Sequence, residues 1–243
     1  MMGDHWFEEA ASHMGEAYLR YSFTKGTEQE VNFLIDQLEL KPGMKVLDVG
    51  CGPGRHSHLL AQAGFEVLGI DISEKFVDIA SRKAVAGSRF LKLDAREMQF
   101  DKDFDAVISL CQGAFGLGGN PQIPVGINDP DGEILKRMSA SLVAGGKVAL
   151  TAFSAYFQIH YMEEGDTFHA EHGVNHEIAS LKNPDGEEIK KDLWTSCFTP
   201  RELRLLAANA GLEVEDIWSV APGKYERLPA TYKKPEFLLI ATR

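Results

Sequence analysis

Eight consecutive residues, Asp48-Val49-Gly50-Cys51-Gly52-Pro53-Gly54-Arg55, carry the strongest chemical signal in the chain. Glycines at alternate positions permit backbone torsions closed to other residues and let a ligand approach the main chain closely. Asp48 places a carboxylate two residues before the first of them, at the tip of the β-rich run Lys45–Gly50. A second carboxylate, Asp71, ends the next β-rich run in Gly-Ile-Asp-Ile-Ser, where it can accept hydrogen bonds from both hydroxyls of a ribose. Asp94-Ala95 follows a third run, Arg89–Leu93, and a carboxylate there can accept from the exocyclic amine of adenine. Plainer readings exist for each: a tight ligand-free turn, an N-cap beside Ser73, a loop aspartate. Those readings lose weight when the three features occur in series.

The surrounding pattern supplies the elements that would hold these groups. Lys45–Gly50, Glu66–Ile70, Arg89–Leu93, Phe104–Leu110 and Lys147–Phe153 read as strands. Helices are expected over Arg55–Ala63, with Gly64 as C-terminal cap, from a Ser73 cap through Ala84, and over Asp131–Leu142 before a Gly145-Gly146 turn. Strands alternating with helices imply parallel βαβ units and a doubly wound α/β sheet. Residues 1–40 look helical. Thr27-Glu28-Gln29-Glu30 has the capping-box pattern, as does Thr199-Pro200-Arg201-Glu202, whose helix ends at Gly211. Leu212–Val220 and Glu236–Thr242 read as closing strands. Between Phe153 and Thr199 the rhythm breaks: Asn183-Pro184-Asp185-Gly186 turns the chain between Val174–Leu181 and Glu187–Thr195, an inserted hairpin able to cover a ligand. The expectation is one domain over 1–243, with an N-terminal helical lid (1–40), a cofactor-binding core (41–153), the hairpin (154–198) and a closing helix with strands (199–243).

Composition narrows the partners. The 243 residues are 44% hydrophobic and 25% charged, enough for a sizeable core. A formal charge of -11, with no cluster of lysine and arginine free of neighbouring acids, disfavours nucleic acid and anionic membrane. Three cysteines without a CxxC pair fit a reducing compartment. The opening MMGDHWFEEA is acidic where a secretory leader is basic, and no apolar run approaches the ~20 residues of a membrane span. A cytoplasmic protein is expected.

Together the glycine loop and the two later aspartates resemble the class I S-adenosylmethionine-dependent methyltransferases. DVGCGPG is similar to that family's first motif, GID to its second-strand acidic motif and LDA to its adenine-contacting motif. The resemblance runs from about Lys41 to Phe153 and resumes from Phe198 to Thr242. It implies a Rossmann-like seven-stranded sheet whose last strand, Glu236–Thr242, is antiparallel. It implies S-adenosylmethionine as cofactor and S-adenosylhomocysteine as product. Gly50, Cys51, Gly52, Gly54 and Arg55 would wrap the methionine part, with Asp48 near its amino group. Asp71 and Ile72 would take the ribose, Asp94 and Ala95 the adenine, and Leu110-Cys111-Gln112 would flank the methionine. The chain lacks the Asn/Asp-Pro-Pro-aromatic signature of methylases acting on planar amide or nucleobase nitrogens, which weakens a DNA-adenine or glutamine substrate.

The acceptor is then a small molecule, methylated on oxygen or nitrogen, by a monomer or homodimer. Candidates to meet it lie after the fourth and fifth strands, in the N-terminal segment and in the insertion: Trp6, Tyr18, Tyr21, Gln112, Phe115, Phe153, Tyr156 and His176. His160, soon after the fifth strand, is the first choice for a general base, against the reading of an ordinary structural histidine. Trp6, Tyr18 and Tyr21 fit an aromatic lid or plain helix packing equally well. His169, His172 and His176 are dense, but on a strand His172 and His176 would not share a helical face, and a solvated loop fits better than a metal site. Three rivals remain. A nicotinamide oxidoreductase would place the third glycine one residue later. A cofactor-binding regulatory or partner subunit would bind without turnover. An aminopropyl transferase would need acidic groups for a polyamine.

Overall fold

The computed structural model describes residues 5–118 and 129–243. The first four residues of the expected N-terminal segment, and residues 119–128 of the expected core, lie outside the described part. Strands β1 (Lys45–Val49), β2 (Glu66–Asp71), β3 (Ser88–Lys92), β4 (Phe104–Ser109) and β5 (Leu142–Ser154) are mutually parallel in the order β3-β2-β1-β4-β5. β10 (Glu236–Thr242) runs antiparallel to β5, from Glu236 opposite Phe153 to Thr242 opposite Lys147, and β9 (Glu213–Val220) completes the far edge. These seven strands are the expected doubly wound sheet with its last strand antiparallel.

The sheet continues further than expected. β4 ends at Ser109 opposite Leu150, so the tip of β5 has a free edge beyond that point. β8 (Glu188–Phe198) occupies this edge, pairing Phe153 with Cys197 and Ser154 with Phe198. β7 (Val174–Lys182) and the three-residue β6 (Thr167–His169) extend it, so the insertion is a three-stranded ribbon joined to a ten-stranded sheet. β5 also begins earlier than expected. Gly145 takes a left-handed φ of 76° inside the strand, so the Gly145-Gly146 pair bends it rather than preceding it.

Helices cover both faces, as right-handed crossovers require. α2 (Thr27–Gln37) and α3 (Arg55–Gln62) bury Val31, Leu34 and Leu60 against Val46, Ile108, Leu238 and Ile240. α5 (Pro130–Ser141) and α7 (Pro200–Asn209) bury Leu135, Met138, Leu203 and Ala207 against Leu47, Val107, Leu150 and Leu239 on the other face. Each such leucine or isoleucine, fully buried, contributes about 2 kcal/mol. α4 (Glu74–Arg82) turns Phe76 and Ile79 toward Ala10, Ala11 and Met14 of α1 (Trp6–Met14) and Leu181 of the ribbon. The N-terminal segment is thus clamped between the sheet's first crossover and the insertion. A short α6 (Ala155–His160) follows β5. Among the described residues no helix is long and apolar enough to cross a membrane.

Two capping expectations hold and one fails. The Ser73 side chain accepts from Phe76 N–H, and Thr199 with Glu202 forms the reciprocal box that starts α7. At α2 the cap is Gly26, and Thr27 is already inside the helix with no side-chain cap bond. Glu30 does not reach back along its own helix because it is held by three long-range partners, Arg55, His56 and Gly223.

Candidate functional site

The glycine loop leaves β1 with Gly50, Gly52 and Gly54 all left-handed, at φ 75°, 54° and 83°. The three do different work. A β-carbon on Gly54 would strike His58, Ala80 and Phe90 at 2.8–3.0 Å, so this glycine lets α3 pack against α4 and β3. A β-carbon on Gly50 would fall 2.0 Å from the Gly113 carbonyl carbon, so here the loop touches the chain leaving β4. On Gly52 the nearest atoms, from Tyr18 and Phe76, would be 4.0 Å away, and this part of the loop is an open cradle.

The loop is strapped to the end of β2. Gly50 and Cys51 N–H both donate to Ile70 O, and Gly52 N–H donates to Asp71 Oδ2 at 2.8 Å. Ser73 N–H donates to the other carboxylate oxygen, also at 2.8 Å. Asp71 is buried, and burial pushes its carboxyl up to about 7 despite these two donors. Each oxygen keeps a free lone pair, so the side chain can still accept two more hydrogen bonds. Asp48 is also buried and raised, and accepts from the Ser57 hydroxyl at 2.6 Å.

Asp71 lines a cleft of about 420 Å³, its mouth included, with Gly50, Ile72, Leu93, Asp94, Ala95, Gly113 and Ala114. The cleft is mostly apolar, with a carboxylate at one side, a common form for a small-molecule site. Asp94 is already engaged: Arg96 Nε and Nη2 grip both its oxygens at 2.6–3.1 Å. Burial pushes Asp94 up, but the Arg96 bonds outweigh it and hold the carboxyl below the usual range. The N-terminal segment forms one wall. His5 Nδ1 accepts from Phe7 N–H to cap α1, which leaves Nε2–H to donate to Leu117 O at 3.2 Å. Burial, aided by Arg96, lowers the His5 imidazole to about 4, so it is neutral.

On the other side of the loop lies a buried polar network. Arg55 donates to Thr27 Oγ1 (2.7 Å), Glu30 Oε2 (3.0 Å) and Cys111 Sγ (2.7 Å). Glu30 is 0% exposed and also meets His56 Nε2 at 2.7 Å and Gly223 N–H at 2.7 Å. Burial pushes its carboxyl up, and His56 and Arg55 outweigh this to bring it below the usual range. Cys111 and Gln112 are both left-handed, at φ 52° and 51°. Two consecutive non-glycine residues in that region cost about 1–3 kcal/mol each and cluster at functional sites. Cys111 N–H is fixed by Thr151 Oγ1. The Tyr18 ring, 4.9 Å from Phe76, reaches the same place, and burial raises its phenol.

The remaining expected residues scatter. Phe115 is 0% exposed and stacked on Phe198 at 4.8 Å, so it is core rather than a ligand contact. Trp6 is tucked between His5 and Phe7, and Tyr21 receives Lys182 N–H from the ribbon. Phe153 pairs with Glu236. Tyr156 is 47% exposed with its edge on Phe237. His160 is exposed at the end of α6 beside Tyr161 and Tyr232, away from the cleft lining. His176 stacks flat on Trp194 at 4.0 Å and meets Asp192 on the ribbon surface. No group of three metal-ligating side chains comes together among the described residues. Sequence reasoning missed His5, Glu30 and Arg96; only Arg96, two residues after Asp94, had a local signal.

Residues 46–123 match the family model described as a methyltransferase domain, a span that holds the loop, Asp71 and Asp94. Over that span the chain is similar to methyltransferases, as the glycine loop and the two later aspartates imply. It is 44% identical over 70 residues to a putative methyltransferase, YqeM, of Bacillus subtilis, covering 28% of each chain. It is 26% identical over 223 residues to the cypemycin N-terminal methyltransferase of a Streptomyces species, covering 83% of this chain and 84% of that one. The first of these alignments therefore spans under a third of the relative's length. The CcbJ methyltransferase of Streptomyces caelestis shares the methyltransferase fold at a TM-score of 0.72, with 19% identity, over 96% of this chain and 97% of that one. The cofactor of the family is S-adenosylmethionine, and the donor set fits it: a buried carboxylate with unused lone pairs beside an apolar slot, and an open glycine cradle next to them.

Proposed function

We propose that the protein transfers a methyl group from S-adenosylmethionine to an oxygen or nitrogen of a small molecule. The observation that carries this reading is Asp71: a buried carboxylate, poised at the cleft and tied by one oxygen to the glycine loop. Asp71 and the Ile72 main chain hold the ribose. Asp94 and Ala95, with Arg96 fixing the carboxylate, hold the adenine. Asp48, the Gly50–Gly54 loop and Leu110-Cys111-Gln112 enclose the methionine part, and Arg55 braces the loop from behind. When bound, the cofactor supplies a sulfonium methyl that is already electrophilic.

The chain's own work is then alignment and exclusion of water. The N-terminal segment, with His5 bound to Leu117 and Tyr18 packed on Phe76, walls one side of the cleft. The surface charge of -11 favours small acceptors over phosphate polymers. Three free cysteines fit the reducing cytoplasm. The assembly proposed is a monomer or homodimer. The likeness to a relative named cypemycin N-terminal methyltransferase supports nitrogen as an acceptor atom. The test is methyl-labelled S-adenosylmethionine offered with panels of amines, phenols and carboxylic acids. Labelled product with equal S-adenosylhomocysteine supports the reading. Tight cofactor binding without transfer to any member would make the chain a binding subunit.

A further inference from the structure

Among the described residues, four buried side-chain atoms near the carboxyl ends of β4 and β5 have no hydrogen-bond partner: Ser109 Oγ, Gln112 Nε2, Tyr225 Oη and Glu236 Oε2. Glu236 is the first residue of β10 and sits opposite Phe153. Because side chains alternate along a strand, it shares a face with Leu238 and Ile240. That face packs against Tyr225, α2 and α3. Tyr225 and Glu236 are therefore on the side of the sheet that carries Arg55, Glu30 and the strained Cys111-Gln112 turn. Glu236 is 2% exposed, with the Gln112 amide beside it and the charges of Glu30 and Arg55 nearby.

Arg55 and Glu30 offset each other, so an ionised Glu236 would have no cation of its own. Arg55 spends its donors on Thr27, Glu30 and Cys111, and His56 also meets Glu30. Among the described residues Glu236 forms no ion pair. A buried carboxylate without a cation is unfavourable, so such a group either holds its proton or is completed by a cationic ligand. Its place is also apt. The nucleoside cleft lies over β1, β2 and β3, and Glu236 lies across the glycine loop, at the end of parallel strands where ligands enter.

We propose that Glu236 and Tyr225 form the acceptor end of the active site, and that the acceptor is an amine that arrives as an ammonium ion and is methylated on nitrogen. This rests on the methyltransferase reading and narrows its acceptor. The ammonium supplies the missing cation, whereas a neutral hydroxyl would leave the charge uncompensated. Glu236 takes one proton from the ammonium, giving the free amine and a neutral carboxylic acid. The nitrogen lone pair forms the new N–C bond as the S–C bond of the sulfonium breaks, and that bond's electron pair stays on sulfur. The products are a methylated ammonium and S-adenosylhomocysteine, and Glu236 returns its proton to solvent. Tyr225 accepts a hydrogen bond from a remaining N–H and so orients the lone pair.

The experiment is calorimetric titration of the full chain, saturated with S-adenosylhomocysteine, with methylammonium and benzylammonium, and with benzyl alcohol as the neutral match. The ammonium ions should bind wild type and lose about tenfold or more in Glu236→Gln, as expected for loss of a buried charge partner. Benzyl alcohol should not distinguish the two proteins, and S-adenosylhomocysteine should bind both alike. Tyr225→Phe should weaken the ammonium ions less, and it carries the test if Glu236→Gln does not fold. Equal ammonium binding by wild type and variant, or none by wild type, would overturn the assignment. A loss of S-adenosylhomocysteine affinity in Glu236→Gln would also overturn it, by placing the carboxylate on the cofactor's own ammonium. If wild type failed to bind S-adenosylhomocysteine at all, the methyltransferase reading would fall first and this one with it.

Discussion

Gly50 and Gly113 touch through their main chains, so closely that a β-carbon on Gly50 would lie 2.0 Å from the Gly113 carbonyl carbon. The turn after β1 and the turn after β4 thus form one wall of the cleft. Gly50→Ala adds a clash to a left-handed φ of 75° and should cost about 3 kcal/mol or more, from strain and overpacking together. Gly145→Ala has a similar φ of 76° but open space, and should cost about 1 kcal/mol. Thermal melts of the two variants give the comparison, and equal costs would remove the close approach from the account.

Glu30→Gln should destabilise the fold by about 3–5 kcal/mol, because Arg55 would remain buried without its carboxylate. The loss should appear in chemical denaturation at neutral pH and shrink in acid. Glu30 lies below its ordinary range in the fold, so its contribution is present above the unfolded value near 4.5 and is lost as pH falls through the lower folded one. A variant as stable as wild type at pH 7 would show that the network contributes nothing net.

Cofactor affinity should depend on pH through Asp71. Its carboxyl is raised to about 7 by burial, and two ribose hydroxyls are best accepted by the ionised form. Binding of S-adenosylhomocysteine should therefore weaken below pH 7, by up to about tenfold per unit. Titrations at pH 6 and 8 decide this, and affinity flat across that range would mean that ionisation of Asp71 does not matter.

Glu236 should make the protein less stable as pH rises. Burial lifts its carboxyl to about 8 from an ordinary 4.5. A carboxyl raised in the fold binds its proton more tightly there than in the unfolded chain, so stability falls between those two values and levels off above the higher. Glu236→Gln should remove that slope and be the more stable protein at pH 8, by about 1–3 kcal/mol. Parallel melting curves for the two proteins from pH 5 to 8 would contradict it.

Most of the fold was legible because its signals are local. The glycine turn between a strand and a helix, the Ser73 and Thr199 caps, and the apolar strand cores each need only a few contiguous residues. Where partners are distant, local reading failed. Thr27-Glu28-Gln29-Glu30 has the letters of a capping box, yet Arg55, His56 and Gly223 claim the glutamate. β6 is three residues long, too short to carry a period. Asp71 and Asp94 were legible as cleft residues, since the end of a parallel strand fixes where such a side chain stands. Phe115 was not legible as core, because an aromatic near a site looks the same in sequence whether it faces ligand or Phe198. Glu236 was hidden in an apolar closing strand. Its burial follows from the pairing of β10 with β5, which no stretch of sequence displays.

Calorimetry of the purified protein with S-adenosylmethionine, S-adenosylhomocysteine and NAD, alongside the Asp71→Ala variant, tests the central claim most directly. Both sulfur compounds should bind wild type, NAD should not, and the variant should lose S-adenosylhomocysteine by about a hundredfold, as expected for two hydrogen bonds to a buried charge. Binding of NAD alone, or unchanged affinity in Asp71→Ala, would contradict the assignment of this cleft.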